Sequence, residues 1–169
     1  MTNSNSALIG RTVVITGAAS GMGAATAGRL ASQGARVALL SRRKDRLDEL
    51  AHQVRTSGGE AMVLAVDVTD SQAVVAAAER IDAAWGPVDT VINAAGVMLA
   101  APIDDGRTDH WARMIDTNLS GTLHVIRASH RLCCVPQRRA LQSTLSTSRR
   151  SQRMSCSPTT PSTRRRRPP

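Results

Sequence analysis

Tyrosine and phenylalanine are absent from the 169 residues, and Trp85 and Trp111 are the only aromatic side chains besides histidine. That excludes any chemistry of these residues that needs a phenol. Lysine occurs once, as Lys44. Cysteine occurs three times, and the adjacent Cys133 and Cys134 lack the spacing of a zinc site or redox pair. No apolar run approaches the ~18 residues of a membrane span. The polar N-terminus runs directly into a strand pattern, without the apolar stretch of a secretory signal. The expectation is a soluble, cytoplasmic protein without a membrane partner.

Acid is missing from one region only. Residues 130–169 carry ten arginines and no Asp or Glu, a balance of +10, whereas residues 1–129 carry 12 basic and 13 acidic side chains, a balance of −1. The net charge of +9 therefore belongs to the end of the chain. That stretch has no glycine, little apolar periodicity and much Ser, Thr and Pro. It cannot bury enough apolar surface to offset its ordering entropy, and it reads as a disordered Arg/Ser/Pro-rich tail.

The first 129 residues alternate two patterns. Short β-branched or aliphatic runs stand at Arg11–Thr16, Arg36–Leu40, Ala61–Val66 and Val88–Ile92. Between them, Gly21–Gln33, Lys44–Thr56 and Ser71–Trp85 have helical spacing, and a long helix is expected from about Thr108 to Ala128. Strands separated by helices of this length build right-handed βαβ units, hence a parallel sheet with helices on both faces. The expected class is α/β, a Rossmann-like doubly wound sheet in strand order 3-2-1-4, its N-terminal part only. The expected domains are 1–129, a partial nucleotide-binding domain, and 130–169, the tail.

Between the first strand and first helix lies Thr16-Gly17-Ala18-Ala19-Ser20-Gly21-Met22-Gly23. Gly17 permits a tight turn, Gly21 lets backbone approach a pyrophosphate, and Gly23 permits close packing of helix on strand. The helix N-terminus then offers unpaired N–H groups to phosphate. The spacing TGxxxGxG resembles that of the short-chain dehydrogenase/reductase family. Other segments support the resemblance in order. Asp67-Val68-Thr69-Asp70 resembles the adenine-contacting segment, Asn93-Ala94-Ala95-Gly96 the NAAG-type turn, and Asp116–Gly121 the helix segment bearing the active-site asparagine, here Asn118. The resemblance covers residues ~9–129. It implies cofactor contacts from Gly17, Ser20, Gly21, Met22 and Gly23 in the loop, and from Asp67, Val68, Asn93, Ala94 and Gly96 beyond it.

About 20 residues past such a loop, an acid reads the ribose 2′-hydroxyl of NAD, or an Arg accepts the 2′-phosphate of NADP. Here the second strand ends in Ser41-Arg42-Arg43, with no acid before Asp45. Ser41 and Arg42 favour NADP, with NAD as the alternative. Read without a ligand, the two arginines are a solvated helix entrance.

The resemblance implies oxidoreductase chemistry on an alcohol or carbonyl group, carried by a Tyr, a Lys, a Ser and an Asn. Asn118 matches the asparagine; as a bland alternative it caps or kinks its helix. The Tyr is absent, and Lys44 lies at the adenosine end. The serine segment is not recognisable, and Ser143 and Ser146 receive no role. His52, His110 and His124 read as structural, and no cluster suggests a metal. A fourth strand left as an open edge would invite aggregation. The resemblance also implies a homo-oligomer, which is doubtful for a chain truncated in this way.

Three readings follow. The first is an NADP(H)-linked oxidoreductase by descent, too short to act alone. The second is a non-enzymatic nucleotide-binding remnant of a gene whose frame changed near Ser129–Arg131. The third is a protein that binds nucleic acid or another anion through its arginines, a weaker reading because no aromatic accompanies them.

Overall fold

The structure, a computed structural model, describes residues 8–133, with side chains described through His130. The tail expected over 130–169 thus lies almost wholly outside the described residues. Four strands, β1 (Thr12–Thr16), β2 (Arg36–Ser41), β3 (Glu60–Ala65) and β4 (Thr90–Asn93), form a parallel sheet in the order β3-β2-β1-β4. Three helices connect them, α1 (Gly21–Ala31), α2 (Lys44–Thr56) and α3 (Ser71–Trp85). After β4 come a 3₁₀ turn at Ile103–Asp105, α4 (Thr108–Ile115), a π-helical segment at Asp116–Ser120, and α5 (Gly121–Cys133). This is the Rossmann-like arrangement expected from the sequence.

Alternation along the strands sorts the core into two layers, because successive side chains point to opposite faces. Val13, Ile15, Val37 and Leu39 pack with Ala27 and Ala31 of α1 and Leu47, Ala51 and Val54 of α2. Val14, Ala38, Leu40 and Leu64 pack on the other face with Val74, Ala77 and Ile81 of α3 and Val125 and Ala128 of α5. Apolar residues without a polar face are what a sheet covered on both sides requires.

The N-terminal ends of the strands are tied by charge. Asp89 accepts the Thr12 N–H at 2.8 Å and an Arg11 guanidinium N–H at 2.6 Å. Arg36 donates to the Gly10 carbonyl, the Thr12 hydroxyl and the Trp85 carbonyl, with its guanidinium 5.8 Å from the Trp85 ring centroid. These bonds occupy one end of the sheet and leave the opposite, C-terminal end open.

The bounds of β1, β2, β3 and α1 shift by one or two residues from the sequence pattern, and two further differences have a structural content. Val88 was expected to begin the fourth strand, but it is a buried loop residue and pairing with β1 starts at Thr90. The long helix is helical from Thr108, but the π segment interrupts its α geometry, and it continues through Cys133. π segments are uncommon and concentrate at functional positions.

Candidate nucleotide-binding site

A cleft of about 340 Å³ opens at the C-terminal ends of the strands. Its walls come from the β1–α1 loop, the end of β2, the segment after β3 and the turn after β4. In doubly wound sheets the strand order reverses where ligands bind. Here β2 and β4 flank β1 on either side, so the crevice lies above β1.

The glycines of the loop have separate structural reasons. Gly17 has φ +67, and a Cβ there would lie 2.5 Å from the Ala94 carbonyl oxygen. The first turn therefore rests directly on the turn after β4. A Cβ on Gly23 would lie 2.5 Å from the Gly17 carbonyl oxygen, so α1 rests on the same turn. A Cβ on Gly21 would meet nothing within 4 Å. That free space is where a phosphate could approach the backbone. Thr16, fully buried, accepts the N–H groups of Ala94 and Ala95, each at 3.2 Å. One hydroxyl thus joins both turns.

Eleven of the twelve expected cofactor contacts line the cleft: Gly17, Ser20, Gly21, Met22, Gly23, Ser41, Arg42, Asp67, Val68, Ala94 and Gly96. Asn93 does not line it; it ends β4, opposite Thr16 in the register, with its side chain exposed. Arg43, Val66, Ala95, Val97 and Thr117 line the cleft without having been singled out as contacts. Arg43 carried a signal, since it stands in the same Ser-Arg-Arg run as Arg42. Ala95 and Thr117 stand inside the quoted motifs, and Val66 and Val97 directly beside them.

Three ionisable side chains line the cleft, Arg42, Arg43 and Asp67. The Thr69 backbone N–H, more than any other partner, holds the Asp67 carboxyl below its usual range, with the Thr69 hydroxyl and Arg42 acting in the same direction. Arg42 lies 3.7 Å from Asp67. Arg43 reaches the other way and donates to the Ser20 hydroxyl at 2.6 Å. With Asp67 ionised, the cleft carries one net positive charge, which suits an anionic ligand.

Asn118 sits behind the cleft, in the π segment. Its Oδ1 accepts the Val97 N–H at 2.8 Å and its Nδ2 donates to the Val97 carbonyl at 2.9 Å. Its own carbonyl accepts the Thr122 hydroxyl at 2.8 Å. The side chain thus pins the strand-end turn, and neighbouring Thr117 lines the cleft. Further along, His124 Nδ1 lies 3.0 Å from the Val68 carbonyl, to which it donates. A Cβ on Gly121 would lie 2.6 Å from Val68 Cγ2. One helical run therefore holds two cleft-lining residues, Val97 and Val68.

The remaining histidines stand away from these walls. His110 contacts Arg107 at 2.9 Å, and His52 lies on the exposed side of α2. Lys44 is bonded to Asp48 at 2.6 Å, which raises its pKa, and it does not line the cleft. Among the described residues no group of His, Cys, Asp and Glu could hold a metal, and no helix is long and apolar enough to cross a membrane.

Comparison with known proteins agrees with this geometry. The family model for short chain dehydrogenase matches residues 11–138, nine residues beyond the expected end of the resemblance. An oxidoreductase of Staphylococcus epidermidis, itself described as uncharacterised, is 39% identical over 119 residues, covering 70% of this chain and 50% of that protein. Among solved structures, NAD⁺-bound xylitol dehydrogenase superposes with a TM-score of 0.71 and 35% identity, covering 74% of this chain and 48% of that one. A metagenomic short-chain oxidoreductase in complex with NADP gives 0.70 and 36%, covering 74% and 57%. The chain spans about half the length of the curated relatives it matches.

Proposed function

This chain belongs to the short-chain dehydrogenase family, and we propose that its cleft binds NADP(H) in preference to NAD(H). The observation that carries the preference is the end of β2. Ser41, Arg42 and Arg43 line the cleft there, and none of the three is a carboxylate that would receive a ribose 2′-hydroxyl. The residues fit the phosphates of a dinucleotide as well. Gly21 leaves open space, Met22 and Gly23 lie in the first turn of α1, whose first N–H groups have no intrahelical partner, and the net charge is positive.

Asp67 and Val68 form the wall that suits the adenine end, with Asp67 ionised to accept an amino N–H. Ala94 and Gly96 lie on the turn after β4, on the opposite wall. Asn118 acts through Val97, as the strut that fixes this turn. The bound dinucleotide would supply hydride chemistry toward an alcohol or carbonyl substrate. The 169 residues offer no phenol to exchange the substrate proton, and Lys44 is engaged on the outer face of α2. As it stands, the chain is therefore a nucleotide-binding member of an oxidoreductase family, without turnover of its own. A soluble cytoplasmic setting fits this role.

Calorimetric titration with NADP and NAD tests the proposal. A charge-assisted bond from Arg42 to the 2′-phosphate is worth about 1.5–3 kcal/mol, roughly 10- to 100-fold in affinity. NADP is expected to bind tighter than NAD by that factor, and Arg42→Ala to bring the two together. Equal affinities in the parent chain, or an unchanged ratio in the variant, would sink the assignment. NADPH oxidation with carbonyl substrates is expected to stay at background.

A further inference from the structure

Ser20 is the N-cap of α1, with extended backbone at φ −169 and ψ 171. A serine there ordinarily turns its hydroxyl back to accept the N–H of the second or third helical residue. In α1 those residues are Met22 and Gly23, and Ser20 makes no such bond. The N-cap of α3 provides the contrast within the same molecule. Asp70 accepts both the Gln72 N–H at 2.9 Å and the Ala73 N–H at 3.0 Å. Ser20 differs in where its hydroxyl is held: it accepts the Arg43 guanidinium at 2.6 Å and makes no bond to the helix.

The consequence falls on the cleft. A self-capped α1 would fill with its own hydroxyl the donors that a phosphate needs. We propose that Arg43 is a positioning residue for phosphate binding: it holds the Ser20 hydroxyl off the helix and so keeps the Met22 and Gly23 N–H groups free for the cofactor's pyrophosphate. The inference rests on the reading of the cleft as a dinucleotide site. It differs from a role in reading the 2′-phosphate, because the pyrophosphate is common to NAD and NADP. It also separates the two arginines, since Arg42 faces Asp67 and Arg43 faces the loop.

The test is a double-mutant cycle on the full chain, with NAD and NADP titrated into the parent protein, Arg43→Ala, Ser20→Ala and the double variant. Arg43→Ala is expected to weaken NAD about fivefold, the scale of one N-cap hydrogen bond, and to weaken NADP at least as much. In the Ser20→Ala background the same change should alter NAD binding less than about twofold, because no hydroxyl is left to fall back on the helix. Arg43→Lys, which retains a donor for Ser20, should recover most of the loss. Additive effects, or a loss confined to NADP, would overturn the proposal. Hydrogen exchange without ligand gives a second readout: the Met22 and Gly23 amides should become more protected in Arg43→Ala and not in the double variant. If the parent chain binds neither nucleotide, the reading of the cleft fails, and the exchange measurement still decides whether Arg43 controls the cap.

Discussion

β2 and β4 flank the same strand and live in different surroundings. β2 pairs on both sides, and four of its six residues are buried. β4 has four residues, pairs with β1 alone among the described strands, and buries none of them fully. The helices repeat the contrast. α1 and α2 each bury apolar residues against β1 and β2, whereas α4 buries none. Trp111, Ile115, Leu119, Leu123 and Ile126 run along α4, the π segment and α5, 41–62% exposed. The side that holds the phosphate loop is thus a finished core, and the side that holds Asn118 presents apolar surface to water. The cleft residues at the ends of β1 and β2 thus stand on strands that carry their own packing.

The largest expected effect tests that contrast directly. Leu39 is fully buried between β1, α1 and α2, and Leu39→Ala should cost about 2–5 kcal/mol. Ile126→Ala, on the exposed stripe, should cost less than about 0.5 kcal/mol. Urea unfolding of both variants decides it, and equal costs would mean that the stripe is buried in solution. The next effect is at glycine. Gly17→Ala adds a backbone clash with Ala94 to about 1–2 kcal/mol of left-handed strain. Gly106→Ala, at φ +56 with nothing near its Cβ, carries the strain alone. Gly17→Ala should be the more damaging by at least ~1 kcal/mol and should abolish nucleotide binding, while Gly106→Ala spares it. Smaller again is Asn118→Ala, which removes two hydrogen bonds to Val97 at about 0.5–1.5 kcal/mol each. Its signature is local: the Val97 amide should exchange faster while β2 amides remain protected. Uniform loss of protection would show that Asn118 supports the whole fold.

Most of the finished side was legible in the sequence. β-branched and aliphatic runs, glycine stops and helical spacing located its strands and helices, because there the local pattern and the burial agree. The loop glycines were legible one by one, since each serves a distinct geometric need. The rest depended on partners far along the chain. Val88 looks like strand, yet Asp89 turns back to bind the Thr12 N–H, and pairing starts only at Thr90. Thr16 reads as the last residue of a strand, and only the approach of Ala94 and Ala95 gives its hydroxyl a role. The π segment has no compositional mark: Asp116–Ser120 contains no residue type that distinguishes it from an ordinary helical turn. Asn93 belongs to a recognisable motif, but strand alternation and an open neighbouring position leave its side chain exposed and off the cleft wall.

Asp89 offers the smallest and most specific test of the contrast, because it ties the loop before β4 to the start of β1. The Thr12 N–H, and after it Arg11, hold its carboxyl below the usual range. A folded pKa below the unfolded value of ~3.9 means that the carboxylate stabilises the fold above that value. The contribution is lost as pH falls through the depressed folded pKa. The Arg11 pair is largely exposed, so it should be worth no more than about 1 kcal/mol. The expected result is local: once corrected for intrinsic exchange rate, β4 amides should lose protection in acid before β2 amides do. Asp89→Asn should lower β4 protection at neutral pH and flatten its acid dependence, leaving β2 unchanged. Simultaneous loss in both strands would mean that the sparse side of the sheet opens only with the dense side, so that the difference in burial is not a difference in local stability.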